Sequence, residues 1–293
     1  MTNTKIYDRI RSVLKLRAHA KINLWLEITG KLPNGYHSLN TKMTSVDIGD
    51  ILYVGKHSGC EVVMDGAVQD EKNTAVKAVL LLIKHLKMPG MRVDITKHIP
   101  VGAGLGGSSA DAAGVFFAAH KLYGIPLKDI MPLAPLVGDD VSFMIKGGGN
   151  TGQIQHNGST GQIQHNGSTA KIQHNGTAQM RMQHSVFLII KPESAVSTAA
   201  AYAKFDEIGH KPRGNTKLVN HLEAAAIALN PEVEECLNLM AGYTEYSLMC
   251  GSGSAVFGVF EDAALALAAL RDMRWRGFAK VVKAVPHGVS IIA

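Results

Sequence analysis

The stretch "IPVGAGLGGSSADAAG", residues 99–114, decides how this chain is read. Gly102, Gly104 and Gly107 fit the spacing G-x-G-x-x-G, and Asp129 follows downstream. By pattern alone this is a dinucleotide fingerprint. That fold needs a strand running straight into the first glycine and an acidic residue ending a second strand. Pro100 interrupts instead, and it lacks the N–H a central strand uses. Asp129 lies in "IPLKDIMP", which does not read as a strand end. A Walker A loop needs Lys after its last glycine, and "GGSSAD" has none. What remains is a glycine run feeding a helix. Glycine lets the backbone approach an anion closely, and the helix start adds partial positive charge. Ser108 and Asp111 fit the S-x-x-D capping pattern. Ser109 can donate to a phosphate oxygen or ligate Mg²⁺. A plain capped helix after a loop explains Ser108 and Asp111 but not the five glycines packed into residues 102–114.

Outward from this loop the chain mixes helices and strands. Ala112, Val115, Phe116, Ala119, Leu122 and Tyr123 make the apolar stripe of the helix, which Gly124 and Pro126 end. "INLWLEI" alternates, with Ile22, Leu24, Leu26 and Ile28 on one side and Asn23, Trp25 and Glu27 on the other, as a half-buried strand does. "GKLPNGYHSL" is a turn. "DILYVG", "CEVVMDG" and "MRVDITKHI" read as strands, and "NTAVKAVLLLIKHLKM" as a helix capped by Asn73 or Thr74. Later come a buried strand at 186–192, a strand–glycine turn–strand in "SLMCGSGSAVFGVF", a helix in "EDAALALAALRDMR" and a last strand in "AKVVKAVP". Without regular β-α-β alternation the class is α+β.

The chain has 293 residues, 46% of them apolar, enough for one large domain or two ordinary ones. Its net charge of +6 suits an anionic substrate and is too weak to argue for nucleic acid. "RDMRWRGFAKVVK" reads as a solvated face. Cys60, Cys236 and Cys250 are scattered, odd in number and without metal spacing, which fits a reducing compartment. No apolar run is long enough to span a membrane. The N-terminus, with Ile6, Ile10 and Val13 or Leu14 at helical spacing, predicts a short surface helix rather than a signal peptide. The expected location is the cytoplasm.

Three nine-residue repeats start at Thr151, Thr160 and Thr169 and carry His156, His165 and His174. They lack Cys or acidic partners for a metal array and are too few for a solenoid. An expanded surface loop or hairpin is the expectation. It marks a boundary between an N-terminal part, residues 1–185, and a C-terminal part, residues 186–293.

Two further stretches carry chemistry-bearing residues: "GDDVSF", with Asp139 and Asp140 adjacent, and "MCGSGSAVFG", a second glycine turn. With "AHAKINLWL" and the opening loop, these resemble the GHMP kinase family in its three ordered motifs. "GYHSLNT" and "KPESAVSTAAAY" bring the resemblance nearest to members acting on a cytidine-diphosphate-linked methylerythritol. The likeness runs from about Ala18 to the C-terminus.

The resemblance implies a two-domain fold, an N-terminal domain like ribosomal protein S5 domain 2 and a ferredoxin-like C-terminal domain. It implies transfer of the ATP γ-phosphoryl, with Mg²⁺, to the 2-hydroxyl of that substrate in isoprenoid precursor biosynthesis. Lys21 and Asp140 are its expected catalytic pair. Pro100, Gly102, Gly104, Leu105, Gly106, Gly107, Ser108 and Ser109 would hold ATP. Asn23, Tyr36, His37, Asp140, Tyr202, Gly251, Ser252 and Gly253 would meet the substrate, with Tyr36 stacking on cytosine and His37 bonding its edge. Ser109 is the one candidate metal ligand. A small-molecule substrate, no nucleic acid, no membrane, and a monomer or homodimer are expected. The alternatives are a homoserine- or mevalonate-type kinase, a non-catalytic nucleotide-binding regulator, and a nicotinamide oxidoreductase. His19 stands where the family has Pro, Ser108 where it has Gly, and Asp139, Ser142 and Cys250 also depart from it. The repeats exceed the family's usual length at this place.

Overall fold

A computed structural model describes residues 13–33, 35–147, 153–154, 163–164, 186–212 and 218–292. Strands β1 (Leu14–Lys31) and β2 (His37–Lys56) form one long antiparallel hairpin, turning where the sequence places Pro33 and Gly35. Bulges between His19 and Ala20, Asn23 and Trp25, and Ile28 and Gly30 bend β1 and re-aim its side chains. Then follow β3 (Gly59–Met64), β4 (Ala67–Val68), α1 (Thr74–Leu86) and β5 (Gly90–Thr96). Asn73 caps α1, its side chain accepting from the Ala75 N–H at 2.8 Å. Helix α2 (Gly107–Tyr123) opens on the glycine loop and ends at Gly124, whose φ of +68° suits glycine. Short helices α3 (Leu127–Ile130) and α4 (Val141–Lys146) flank a 3₁₀ turn.

Two-residue strands β6 (Gln153–Ile154) and β7 (Ile163–Gln164), from the first two repeats, pair antiparallel. The rest of the repeat segment, its histidines included, lies outside the described residues. So do residues 1–12 of the expected N-terminal helix, while Leu14 itself opens β1 rather than closing a helix.

The C-terminal part contains β8 (Val186–Lys191), α5 (Thr198–Ile208), α6 (Glu223–Leu229), α7 (Glu232–Ala241), β9 (Ser247–Met249), β10 (Val256–Phe260), α8 (Ala263–Met273), β11 (Phe278–Val285) and β12 (Val289–Ile291). The sheet runs β4-β3-β5-β2-β11-β8-β10-β9, with β1 between β2 and β12. β12 corrects the expectation that the strand in "AKVVKAVP" is the last. A bend at His287–Gly288 lets the chain end pair with β1, Ala18 opposite Val289. The segment "GVSII" is too short to announce itself by alternation.

Period-two alternation along β8 serves two cores. Phe187 and Ile189 join the core beneath α1 and α2, while Val186, Leu188 and Ile190 join the one under the C-terminal helices. Phe187 meets Phe257 edge-on at 5.8 Å. β1 threads both cores, Ile22 and Leu24 in the first and Leu26 in the second. Its expected half-burial is corrected over residues 18–24, where both faces are covered. One face packs on the core. The other carries His19, Lys21 and Asn23; the glycine loops cover Lys21 and Asn23, and Ser290 of the flanking β12 meets His19.

Helix α2 is buried well beyond its expected stripe, Ala110, Ala113, Gly114 and Ala118 included. A Cβ on Gly114 would stand 2.5 Å from a Leu52 methyl, so glycine sets how closely α2 approaches the hairpin. The S-x-x-D cap is also corrected. Gly106 is the N-cap, with no side-chain cap bond, and Asp111 is buried and paired elsewhere. Sequence spacing alone cannot distinguish a cap from an ion pair formed by a distant lysine.

Candidate active site

The glycine loop sits between β5 and α2 and lines a cleft of about 500 Å³. Gly102, Gly104 and Gly106 have φ of +62°, +73° and +74°, the left-handed region glycine enters freely. Space demands glycine as well. A Cβ on Gly104 would fall 1.8 Å from the Cys250 carbonyl oxygen. Pro100, Leu105, Gly107 and Ser108 share the cleft wall with Lys72, Asn73, Thr74, Lys97 and Thr198. Leu105 is buried, and its carbonyl accepts from the Lys21 N–H at 3.0 Å. Thr74 donates its hydroxyl to the Ser108 carbonyl at 2.7 Å, tying the start of α1 to that of α2. The first turn of α2 therefore presents backbone N–H groups and its dipole to one wall of the cleft.

Beside that wall lies a buried ion cluster missed in the sequence. The Lys97 ammonium bonds both Asp50 and Asp111, the latter at 2.6 Å. Both carboxylates are essentially inaccessible. Asp50 also accepts from the His98 and Ile99 N–H groups at 2.6 and 2.8 Å. Burial pushes the Asp111 carboxyl up to about 7, with the Asp50 charge adding to the rise and Lys97 opposing it.

Lys21 runs along the far side of the loop. A Cβ on Gly106 would stand 3.2 Å from its methylenes. Its ammonium donates to Asn23 Oδ1 at 2.6 Å and lies 3.3 Å from Asp140 Oδ2. Lys21 is buried, whereas 27% of the Asp140 side chain is exposed, so the pair opens to solvent on the carboxylate side. Asp140 precedes α4 but does not cap it, which leaves its carboxylate to Lys21. Asn23 in turn donates to the Thr41 hydroxyl at 2.8 Å, and Thr41 donates to the Trp25 carbonyl at 2.6 Å. This chain fixes the amide so that its oxygen faces the ammonium. Ser109 sits near the Asp140 loop, 3.4 Å from where a Gly138 Cβ would be.

The second glycine turn, Cys250–Ser254, closes on the first. Ser254 and Ala255 N–H groups donate to the Gly102 and Ala103 carbonyls at 3.0 and 3.2 Å. Gly251, at φ +52°, brings its backbone against Lys21, and Ser252 bonds Thr198 at 2.8 Å. Gly253 packs against Met249.

Around the corner from Asp140 the rings gather. His37 stacks on Tyr202 at 5.0 Å and meets Phe205 edge-on at 6.0 Å. Its Nε2 bonds Asp206 at 2.7 Å, and Lys31 holds the other oxygen of Asp206. These bonds keep the exposed Asp206 carboxyl below the ordinary range. Burial, and then the Asp140 and Asp139 charges, drive the Tyr202 phenol well up. Tyr36 lies exposed at the hairpin end.

The structure thus joins Lys21, Asn23, Asp140 and the two glycine turns, and α5, tied to the second turn through Thr198 and Ser252, carries Tyr202, on which His37 stacks. Sequence reading missed Thr41, Lys97 and Asp206. Each is an ordinary polar residue whose partner lies far along the chain, and only Thr41, inside "GYHSLNT", sat in a stretch already singled out.

The chain matches the family models described as GHMP kinases N terminal domain, over residues 73–148, and GHMP kinases C terminal, over residues 201–276. It is 34% identical to the 4-diphosphocytidyl-2-C-methyl-D-erythritol kinase of Desulfitobacterium hafniense (strain Y51), covering 91% of this chain and 93% of that one. It is 35% identical to the kinase of the same name from Methylacidiphilum infernorum (isolate V4), covering 83% and 85%. A crystal structure of 4-(cytidine 5'-diphospho)-2C-methyl-D-erythritol kinase superposes with a TM-score of 0.72 at 28% identity, over 92% of this chain and 99% of the other. Homoserine kinase from Cytophaga hutchinsonii shares the fold, with a TM-score of 0.64 at 18% identity over 96% and 98%. With the α+β architecture, the paired glycine turns and this likeness along nearly its whole length, the chain belongs to the GHMP kinase family.

Proposed function

We propose that this protein transfers the γ-phosphoryl group of ATP to the 2-hydroxyl of 4-diphosphocytidyl-2-C-methyl-D-erythritol, a step toward isoprenoid precursors. The observation that carries the reading is the buried Lys21 ammonium held beside the half-open Asp140 carboxylate, where the two glycine turns meet. Likeness to kinases of that name over most of the chain supports the substrate.

Residues 1–185 then carry the ATP-binding part and residues 186–293 the second part. The loop from Pro100 to Ser109 holds the phosphates through backbone N–H groups and the α2 dipole. Asp140 orients the acceptor hydroxyl and takes its proton as the oxygen attacks the γ-phosphorus and ADP departs. Lys21 neutralises charge on the transferring group, and Asn23 keeps its ammonium in place. His37 and Tyr202 present rings and a polar edge to the cytosine, with Tyr36 closing from the hairpin. Gly251, Ser252 and Gly253 let backbone approach the substrate's phosphates.

No group of three or more His, Cys, Asp or Glu able to hold a metal occurs among the described residues. Mg²⁺ arriving with the nucleotide would take the Ser109 hydroxyl as a protein ligand. The ion would supply charge neutralisation between the phosphates. Among the described residues no helix is long and apolar enough to cross a membrane. Free Cys60, Cys236 and Cys250 support a cytoplasmic setting.

The test is one coupled ADP assay over a panel of alcohols. Turnover with the cytidylyl substrate and at most traces with homoserine or mevalonate is expected. Preference for another alcohol overturns the substrate, and nucleotide binding without any turnover overturns the enzyme.

A further inference from the structure

We propose that Asn220 is a positioning residue for phosphoryl transfer, holding the second glycine turn against Lys21 through the Met249 and Gly251 carbonyls. The proposal rests on the reading of Lys21 given above. Asn220 is buried, and both ends of its amide are engaged. Nδ2 donates to the Met249 carbonyl at 3.0 Å and to the Gly251 carbonyl at 2.7 Å, while Oδ1 accepts from the Leu222 N–H at 3.0 Å. Two carbonyls and one N–H leave the amide a single orientation.

Its backbone is anchored to the strand that carries Lys21. The Leu26 N–H donates to the Val219 carbonyl at 2.8 Å, and the His221 N–H donates to the Leu26 carbonyl at 2.9 Å. Glu223 adds a second tie, accepting from the Met249 N–H at 3.3 Å. Asn220 therefore joins β1 and the glycine turn in a closed circuit: β1 to Asn220, Asn220 to Gly251, and Gly251 back to Lys21 on β1. The last contact leaves no room for a side chain. A Cβ on Gly251 would stand 3.1 Å from Lys21 Nζ and 2.9 Å from the Gly104 carbonyl oxygen. Turn, lysine and phosphate loop thus share one tolerance. Misplacement of a reacting group by about 1 Å costs on the order of a hundredfold in rate. A residue serving only to cap α6 would need Oδ1 alone. The two bonds from Nδ2 point into the site.

The experiment compares Asn220→Ala and Asn220→Asp with wild type. Asn220→Ala, folded by circular dichroism, is expected to lower kcat about 10- to 100-fold with KM for ATP and the alcohol within about twofold. Asn220→Asp keeps the acceptor for Leu222 but faces two carbonyls with a carboxyl, which regains a donor only when protonated. Its activity relative to wild type should rise as pH falls, while that of Asn220→Ala stays flat. If Asn220→Ala does not fold, the pH signature of Asn220→Asp alone decides, and a flat ratio overturns the proposal. A kcat within twofold of wild type in folded Asn220→Ala, or a loss lying wholly in KM, also overturns it. Competitive amine labelling read by mass spectrometry gives a measure independent of turnover. Lys21 should label several-fold faster in either variant, with the other lysines unchanged, and equal rates refute the positioning. Wild-type protein without turnover would instead sink the proposed activity, leaving the labelling to judge Asn220.

Discussion

His19 offers a sharp electrostatic test of this fold. Its ring is buried between β1, β2 and β12, with Nε2 bonded to the Ser290 hydroxyl at 2.9 Å. Burial lowers its pKa from 6.5 to about 4, with the nearby Val46 backbone and Asp47 opposing only in part and Arg17 and His287 adding to the fall. The folded protein therefore holds neutral imidazole where the unfolded chain takes up a proton. Stability from this group is fully present above pH 6.5 and is lost as pH falls from 6.5 toward 4. At about 1.4 kcal/mol per pH unit, that interval is worth about 3 kcal/mol. The perturbation is His19→Gln, which keeps a polar group for Ser290 but cannot titrate. Denaturant unfolding at a series of pH values from about 7 to 4 supplies the stabilities. Many carboxylates titrate in the same range, so the quantity to read is wild type minus variant. That difference should fall by about 3 kcal/mol across the window. A difference constant within about 0.5 kcal/mol, or an imidazole titrating near its free value by NMR, would refute the burial argument.

Other expectations follow from contacts already described. Gly104→Ala and Gly124→Ala both force a side chain into positive φ, at a cost of about 1–2 kcal/mol each. Only the first drives a Cβ into the Cys250 carbonyl, so it should also collapse kcat, while Gly124→Ala, in open space, lowers the melting temperature alone. Asp111 has the opposite sign to His19: its carboxyl is raised, so its contribution is present below about 3.8 and is lost as pH rises toward about 7. Wild-type stability minus that of Asp111→Asn should decline over that range, and a rising difference would contradict the buried double-carboxylate arrangement. Tyr202→Ala and His37→Ala should raise KM for the cytidylyl substrate by up to about tenfold, on the order of one lost ring contact, and leave KM for ATP unchanged. Equal effects on both would place the rings elsewhere.

The elements were legible where local chemistry is strong. Asn73 capping α1, Gly124 ending α2 and Pro33–Gly35 turning the hairpin are dictated by residues within a few positions. The glycine loop was readable as an anion cradle because Pro100 and the missing lysine exclude the nearest alternatives. Whatever depended on distant partners was hidden. Asp111 looked like a cap because Lys97 and Asp50 reach it only after folding. β1 looked half-buried because its polar side is covered by a turn more than two hundred residues away, at Cys250–Ser254. β12 was missed because three residues show no period. Lys21 and Asp140 meet across more than a hundred residues, and only the ordered motifs of a known family pointed to the pair in advance.

Asp140, held by Lys21, is proposed to act at the acceptor hydroxyl. The direct measurement is kcat of Asp140→Asn with ATP, Mg²⁺ and the cytidylyl substrate, beside wild type, with the fold verified by circular dichroism. The expected result is a fall on the order of 10²- to 10⁴-fold with both KM values little changed. A variant turning over within twofold of wild type would remove Asp140 from the chemistry.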